Sequence, residues 1–110
     1  MKKSSSTPKN LSSEAKALWR SLVAEYGIDD AGGRAILQAG LEAFNRMRDA
    51  QAQIKHDGIT TVDRFGQVKA HPLLAAERDA RAAFLHALRN LNLDLEPLHD
   101  RPGRPGKGIF

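Results

Sequence analysis

The segment from Gly58 to Leu74 most constrains the fold, because it is the only stretch whose residues depart from a helical pattern. β-Branched and aromatic residues lie on both sides of Asp-Arg-Phe-Gly, which favours two short strands joined by a turn. The extended run stops at His71 and Pro72, and a proline suits the first turn of a helix because its missing N–H costs nothing there. The sequence therefore predicts a small β-hairpin at residues 59–70 between two long helices.

Capping residues predict the ends of three helices. Ser12 is a suitable N-cap for a first helix, and Gly27 has the usual role of a C-cap. Apolar residues at helical spacing continue in a second helix, which should begin at residue 29 or 30 and end at 57, and in a third helix over residues 72–92. We predict a mainly α fold in one domain at residues 11–98, with the hairpin between the second and third helices.

The second predicted helix is apolar over nearly half of its circumference, which exceeds the ~100° stripe of a helix that packs against one core. Such a helix needs two apolar neighbours, and self-association is the simplest source of additional cover. A head-to-tail contact that closes on itself would form a ring. We expect this helix and an exposed aromatic at the hairpin tip to supply an oligomer interface, through Leu37, Gly40, Leu41, Phe44, Met47, Ile54 and Phe65.

The net charge of +4 is unevenly distributed along the chain. Residues 1–9 and 101–110 each hold three bases and no acid, so the two ends carry +6, whereas residues 10–100 hold eleven bases and thirteen acids and sum to −2. We expect a flexible basic arm at residues 1–10 and a flexible Arg-Pro-Gly tail at 99–110, since neither can bury enough apolar surface to order itself. A polyanion would be drawn to these ends first.

The third helix carries the one ordered basic stripe, which consists of Arg78, Arg81 and Arg89. These arginines share one side of the helix because offsets of three and eleven residues nearly complete whole helical turns. They can face phosphates, or they can be a solvated helix face paired with Glu77 and Asp79. Together with the basic ends, they make the candidate DNA-binding residues Lys2, Lys3, Lys9, Arg78, Arg81, Arg89, Arg101, Arg104 and Lys107.

The C-terminal tail contains Gly-Arg-Pro between further bases, which resembles the core of an AT-hook. Proline keeps such a strand extended, glycine lets it lie deep in a narrow minor groove, and arginine meets the enhanced negative potential there. The alternative is a disordered basic end that binds another protein. The motif is short, and the sequence leaves both interpretations open.

We predict no catalytic residues, no metal site and no cofactor. The chain has no cysteine, no phosphate-binding Gly-x-x-x-x-Gly-Lys, and no two of its four histidines at the spacing of helical metal ligands. Its Asp29-Asp30 and His99-Asp100 pairs are better interpreted as helix capping and a polar turn than as acid-base groups. No apolar run approaches the ~20 residues that span a bilayer, so we expect no membrane partner.

Residues 11–98 resemble the small subunit of phage terminases. The resemblance rests on Leu11-Ser-Ser-Glu-Ala-Lys-Ala-Leu-Trp19, the helix end at Asp57-Gly58, the turn at Val62 to Gly66, Val68-Lys-Ala-His-Pro72 and Leu91-Asn-Leu. Its most specific element is the His-Pro junction after a short ribbon. One departure is that the chain has no obvious room for a separate N-terminal helix-turn-helix domain, which leaves the mode of DNA recognition open.

The resemblance implies a non-enzymatic protein of the host cytoplasm that assembles into a ring. It implies double-stranded viral DNA and the terminase large subunit as partners, the latter being recruited and regulated for its ATPase and nuclease activities. Two other classes stay open: a small helical DNA-binding regulator or nucleoid-type protein that uses the basic arms, and an adaptor that binds protein alone. A closed oligomer larger than a tetramer would favour the terminase interpretation.

Overall fold

The computed structural model describes residues 7–93, which form three α-helices and one antiparallel pair of strands. The elements are α1 (Ser13–Tyr26), α2 (Ala31–Asp57), β1 (Thr60–Val62), β2 (Val68–Ala70) and α3 (Leu73–Asn90). The predicted mainly α fold with a hairpin between the second and third helices is confirmed, with element ends that differ from the predictions by a residue or two. The tail motif at residues 99–110 lies outside the described residues.

The helix ends follow from local chemistry. The Ser12 hydroxyl accepts a hydrogen bond from the Ala15 N–H at 3.1 Å, and the Asp30 carboxylate accepts one from the Gly33 N–H at 2.8 Å. Each side chain satisfies one of the N–H groups that the first turn of a helix leaves unpaired. Gly27, at φ 62°, ends α1 in the left-handed conformation that favours glycine.

The apolar arc of α2 is covered from two sides by α1 and α3, so both of the neighbours that the arc requires belong to the same chain. The core draws on all three helices, and Leu37 and Leu41 are its largest fully buried side chains. The ring of Phe44 lies 5.1 Å from that of Phe84 on α3, at an interplanar angle of 54°. Most of the stability of this helix therefore comes from packing within the chain.

Helices α2 and α3 are in close contact at Gly40. A Cβ placed on this glycine would lie 2.7 Å from the Cβ of Ala87, which is closer than two carbon atoms can pack. Farther along the pair, the Gln51 amide donates to the Glu77 carboxylate at 2.9 Å.

Helix α1 begins beside the middle of α2 and returns to the start of α2. The Ser12 N–H donates to the Asn45 amide oxygen at 3.2 Å, and the Glu14 carboxylate pairs with Arg48 at 3.1 Å. Asn10, which the sequence assigns to the flexible arm, also hydrogen-bonds to Glu42. Because α1 has 14 residues and α2 has 27, the last turns of α2 and the facing turns of α3 extend beyond α1 and carry the hairpin.

Candidate functional site

The outer end of the β-hairpin exposes three apolar side chains. Val62 and Val68 are directly opposite partners in the strand register, so they share one face of the ribbon, where they are 65% and 69% exposed. Phe65 lies at the tip and is 76% exposed, as the sequence predicts. We call Val62, Phe65 and Val68 the hairpin surface. An exposed aromatic beside two exposed valines is typical of a contact surface rather than of a solvated turn.

The turn that carries Phe65 is ordered by hydrogen bonds to Asp63. The Asp63 carboxylate accepts from the N–H groups of Phe65 at 2.8 Å and Gln67 at 3.0 Å, and its carbonyl accepts from the Gly66 N–H at 2.9 Å. The bond from Gln67, together with that from Phe65 and the neighbouring Lys69, holds the pKa of Asp63 below its usual value. Gly66, at φ 80°, takes the left-handed position of the turn. Phe65 is therefore presented on a well-defined loop.

The base of the hairpin is fastened to α2 by a buried histidine. His71 is only 5% exposed, and its Nε2 lies 2.9 Å from the Asp57 carboxylate. The Leu73 N–H donates to Nδ1 at 3.0 Å, which requires Nδ1 to be the acceptor and places the ring proton on Nε2. The sequence predicts His71 as a residue at the start of a helix. The bond from the Leu73 N–H makes its ring the cap of α3, a role that the Pro72 side chain does not fill. The second partner of the ring is Asp57 at the end of α2, and the His71 backbone N–H donates to the Ile59 carbonyl at 2.8 Å, which also ties this residue to the hairpin.

Asp57 accepts hydrogen bonds from three side chains. Gln53 donates to it at 3.0 Å, and His56 and His71 each lie 2.9 Å from one of its oxygens. The hydrogen bond from Gln53 first, and those from His56 and His71 with it, hold the pKa of Asp57 well below its usual range. The charged carboxylate thus joins the last turn of α2 to the residue that begins α3.

A groove of about 610 Å³ lies between α2 and α3, in the part of the pair that carries the hairpin. Its apolar lining comes from both helices, and it consists of Ala50, Leu73, Ala76 and Ala80. Polar side chains complete the lining, namely Arg46, Asp49, Gln53 and Asp79. Because small side chains line facing helices here, the helices leave a depression between them rather than a filled surface. We call this feature the α2–α3 groove.

The three arginines of the predicted basic stripe all lie exposed on α3. Arg81 pairs with Glu77 at 2.9 Å, which lowers the pKa of Glu77 and raises that of Arg81, and Arg78 lies 3.3 Å from Asp79. Glu77 and Asp79 are the two acids that were expected to pair with these arginines if the stripe is a solvated helix face. Arg89 has no ion-pair partner among residues 7–93. DNA contact by this stripe stays a prediction.

The remaining candidate DNA-binding residues lie at the ends of the chain. Lys9 is exposed and precedes the residues that attach α1 to α2. The other candidates, Lys2, Lys3, Arg101, Arg104 and Lys107, lie outside the described residues.

Most of the predicted interface residues lie inside this chain. Leu37, Gly40, Leu41, Phe44 and Met47 are buried, Ile54 is half-buried and Phe65 is exposed. Their core role is shown, and their contact with a second chain stays a prediction. Of the seven, only the hairpin-tip Phe65 offers a largely free side chain to a partner.

The α2–α3 groove and the bond between Asp57 and His71 were not predicted from the sequence. The groove could have been suspected from alanines at helical spacing in α3, but its depth depends on how the two helices pack. Within residues 7–93, no group of three or more His, Cys, Asp or Glu side chains could hold a metal ion. None of the helices described there is long and apolar enough to cross a membrane.

Comparison with known protein families identifies a match. The family model described as phage terminase, small subunit matches residues 15–96, which include α1 from its third residue onward and all of α2, both strands and α3. Searches of curated proteins and of solved structures returned no significant match. The match covers well over half of the chain and agrees with the resemblance carried by the hairpin and its His-Pro junction. The chain therefore belongs to the phage terminase small subunit family.

Proposed function

We propose that this chain is the non-catalytic small subunit of a terminase that packages viral DNA in the host cytoplasm. In this role it assembles into a ring, recognises double-stranded viral DNA, and recruits and regulates the large subunit that holds the ATPase and nuclease. The family match carries the proposal, because it covers most of α1 together with α2, the hairpin and α3. The family as a whole is generally non-catalytic.

Self-assembly is supported by the apolar surface that the described residues leave exposed. The hairpin surface and the α2–α3 groove have no residue in common, so they are separate features of one chain. A domain of this size has a small core, so leaving three large apolar side chains in water is more easily explained by a partner than by stability.

DNA recognition is proposed to depend mainly on the basic ends of the chain. Two of the three stripe arginines already have carboxylate partners, which neutralise much of the positive potential that α3 could offer a phosphate. Arg89 and Lys9 are the candidates in the described residues that keep an unpaired charge there. In a ring, several copies of a weakly binding tail would act together and gain avidity.

Three measurements on the purified full chain test the proposal: its mass by light scattering, its affinity for viral end DNA, and its effect on the ATPase rate of the large subunit. We expect a closed oligomer larger than a tetramer, salt-dependent DNA binding and a changed ATPase rate. A chain truncated after residue 98 separates the tail from the rest. If the tail docks on the large subunit, this truncation abolishes the ATPase effect but leaves DNA affinity nearly intact.

A second candidate is a DNA-binding regulator that uses the basic arms without a motor partner. The observation that favours it is the Gly-Arg-Pro sequence of the tail, which is suited to an A·T-rich minor groove. A monomer or dimer with a strong A·T footprint and no effect on the large subunit would replace the terminase proposal with this one.

A further inference from the structure

The hairpin surface and the α2–α3 groove are complementary in shape. The first is a convex tip that carries an aromatic ring and two valines, and the second is a depression lined by three alanines and a leucine. A volume of about 610 Å³ is sufficient for a bulky side chain, since pockets of ~300–1,000 Å³ accommodate drug-sized molecules. The hairpin does not fill the groove of its own chain, because Val62, Phe65 and Val68 are all at least 65% exposed.

The two surfaces are also complementary in charge. Arg64 lies beside Phe65, with its guanidinium carbon 5.3 Å from the centre of the ring, and it has no ion-pair partner among residues 7–93. Asp49 contributes to the groove and likewise has no cation within ion-pair distance in that part of the chain. Asp79, the second acid of the groove, has only the exposed Arg78 beside it. The lining also holds one cation, Arg46, so an arginine that accompanies an aromatic side chain into this groove would meet two carboxylates and one guanidinium, and Asp49 is the acid without an ion-pair partner among residues 7–93.

We propose that the hairpin of one copy of this chain docks in the α2–α3 groove of the next copy, with Phe65 in the groove and Arg64 against Asp49. The inference rests on the proposed self-assembly and names the surfaces that produce it. Because the two patches differ, the contact is head-to-tail, and each copy keeps a free hairpin at one side and a free groove at the other. Repetition then closes a ring when the rotation between copies allows it.

Two variants interrupt the contact from opposite sides. Phe65→Ser removes the aromatic anchor. Ala76→Glu places a charge in the groove, and because Ala76 is an exposed position of α3, this change should leave the core intact. We expect each to raise the chain concentration at half-assembly by about tenfold or more. The matched controls are Leu85→Ser and Ala82→Glu, which make the same kinds of change at exposed positions of α3 outside the groove. The controls should assemble like the wild type, and circular dichroism should show that all four variants stay folded.

Mixing the two interface variants is the sharper test. The Phe65→Ser chain keeps a working groove and the Ala76→Glu chain keeps a working hairpin, so one intact contact can form between them. Light scattering should therefore show monomers for each variant alone and a one-to-one dimer for the mixture, with no larger species. A mixture that remains monomeric, from variants that remain folded, would contradict the docking.

Reversal of the charges tests the polar part of the contact independently. Arg64→Glu and Asp49→Arg should each weaken assembly, and the double variant should recover most of it. The control Arg20→Glu changes an exposed arginine of α1 and should have no effect on assembly.

A wild type that is monomeric at high concentration would overturn the proposed assembly and the docking with it. An oligomer that persists in both Phe65→Ser and Ala76→Glu would overturn the docking alone and leave the assembly standing.

Discussion

Adding one methyl group at Gly40 should force α2 and α3 apart. The Cβ of an alanine at this position would lie 2.7 Å from the Cβ of Ala87, whereas carbon atoms in contact prefer about 3.5–4.0 Å. The obstructing atom is the Cβ of a buried alanine, which cannot rotate away, so the helices themselves must separate by about 1 Å.

The magnitude follows from two opposing effects. Overpacking a well-packed contact costs about 1–3 kcal/mol. Replacing a glycine by alanine inside a helix contributes up to about 1 kcal/mol in the other direction. We therefore expect Gly40→Ala to lower the free energy of unfolding by about 1 kcal/mol, within a range of about 0–2 kcal/mol. Gly40→Leu, which adds three more carbons at the same point, should cost more and should also disturb assembly.

The assay is denaturant unfolding at a fixed chain concentration, because assembly makes stability depend on concentration. Ala87→Gly restores the space, so the double variant with Gly40→Ala should be nearly as stable as the wild type, and the two changes should couple by about 0.5–3 kcal/mol. Gly32→Ala is the control, since its Cβ would be 3.6 Å from the nearest side-chain atom, on Asp30, and should not destabilise the chain. If Gly40→Ala instead stabilises the chain by the ~1 kcal/mol that this substitution gives in an unobstructed helix, the steric reasoning is refuted.

Three further predictions concern charge. The pKa of Asp57 in the folded chain lies below the usual value near 3.9, so the stabilisation by this carboxylate should be complete above about pH 5 and should be lost as the pH falls below 3.9. The Asp57→Asn variant should therefore be less stable than the wild type at pH 7, and its stability should fall less steeply with acid. Deleting residues 1–9 and 101–110 should make the slope of log affinity for DNA against log salt shallower, by about 0.9 for each phosphate that the shortened chain no longer neutralises. Full affinity in the shortened chain would instead place the DNA-binding site on the α3 arginines. If the tail inserts in a minor groove, Arg104→Lys should lose most of the A·T preference in a footprint, whereas a tail that docks on protein should show no such preference in the wild type.

The sequence alone was sufficient for several features that depend on neighbours along the chain. Ser12 and Gly27 bound α1, and Gly66 takes the left-handed position of the turn, because side-chain caps and glycine conformations act on the backbone within a few residues. The same local signals placed Phe65 at an exposed tip.

Only the tertiary structure decided which apolar surface stays free. The wide apolar arc of α2 predicted two neighbours, but its periodicity does not say whether the second belongs to the same chain, and here α1 and α3 bury Leu37 and Leu41 completely. The tertiary structure also decided the groove, which forms where Ala50 of α2 faces the alanines of α3. It decided as well the bond between His71 and Asp57, which are fourteen residues apart. Distances between remote residues are set by how whole helices pack, and spacing along one helix carries no information about the helix opposite.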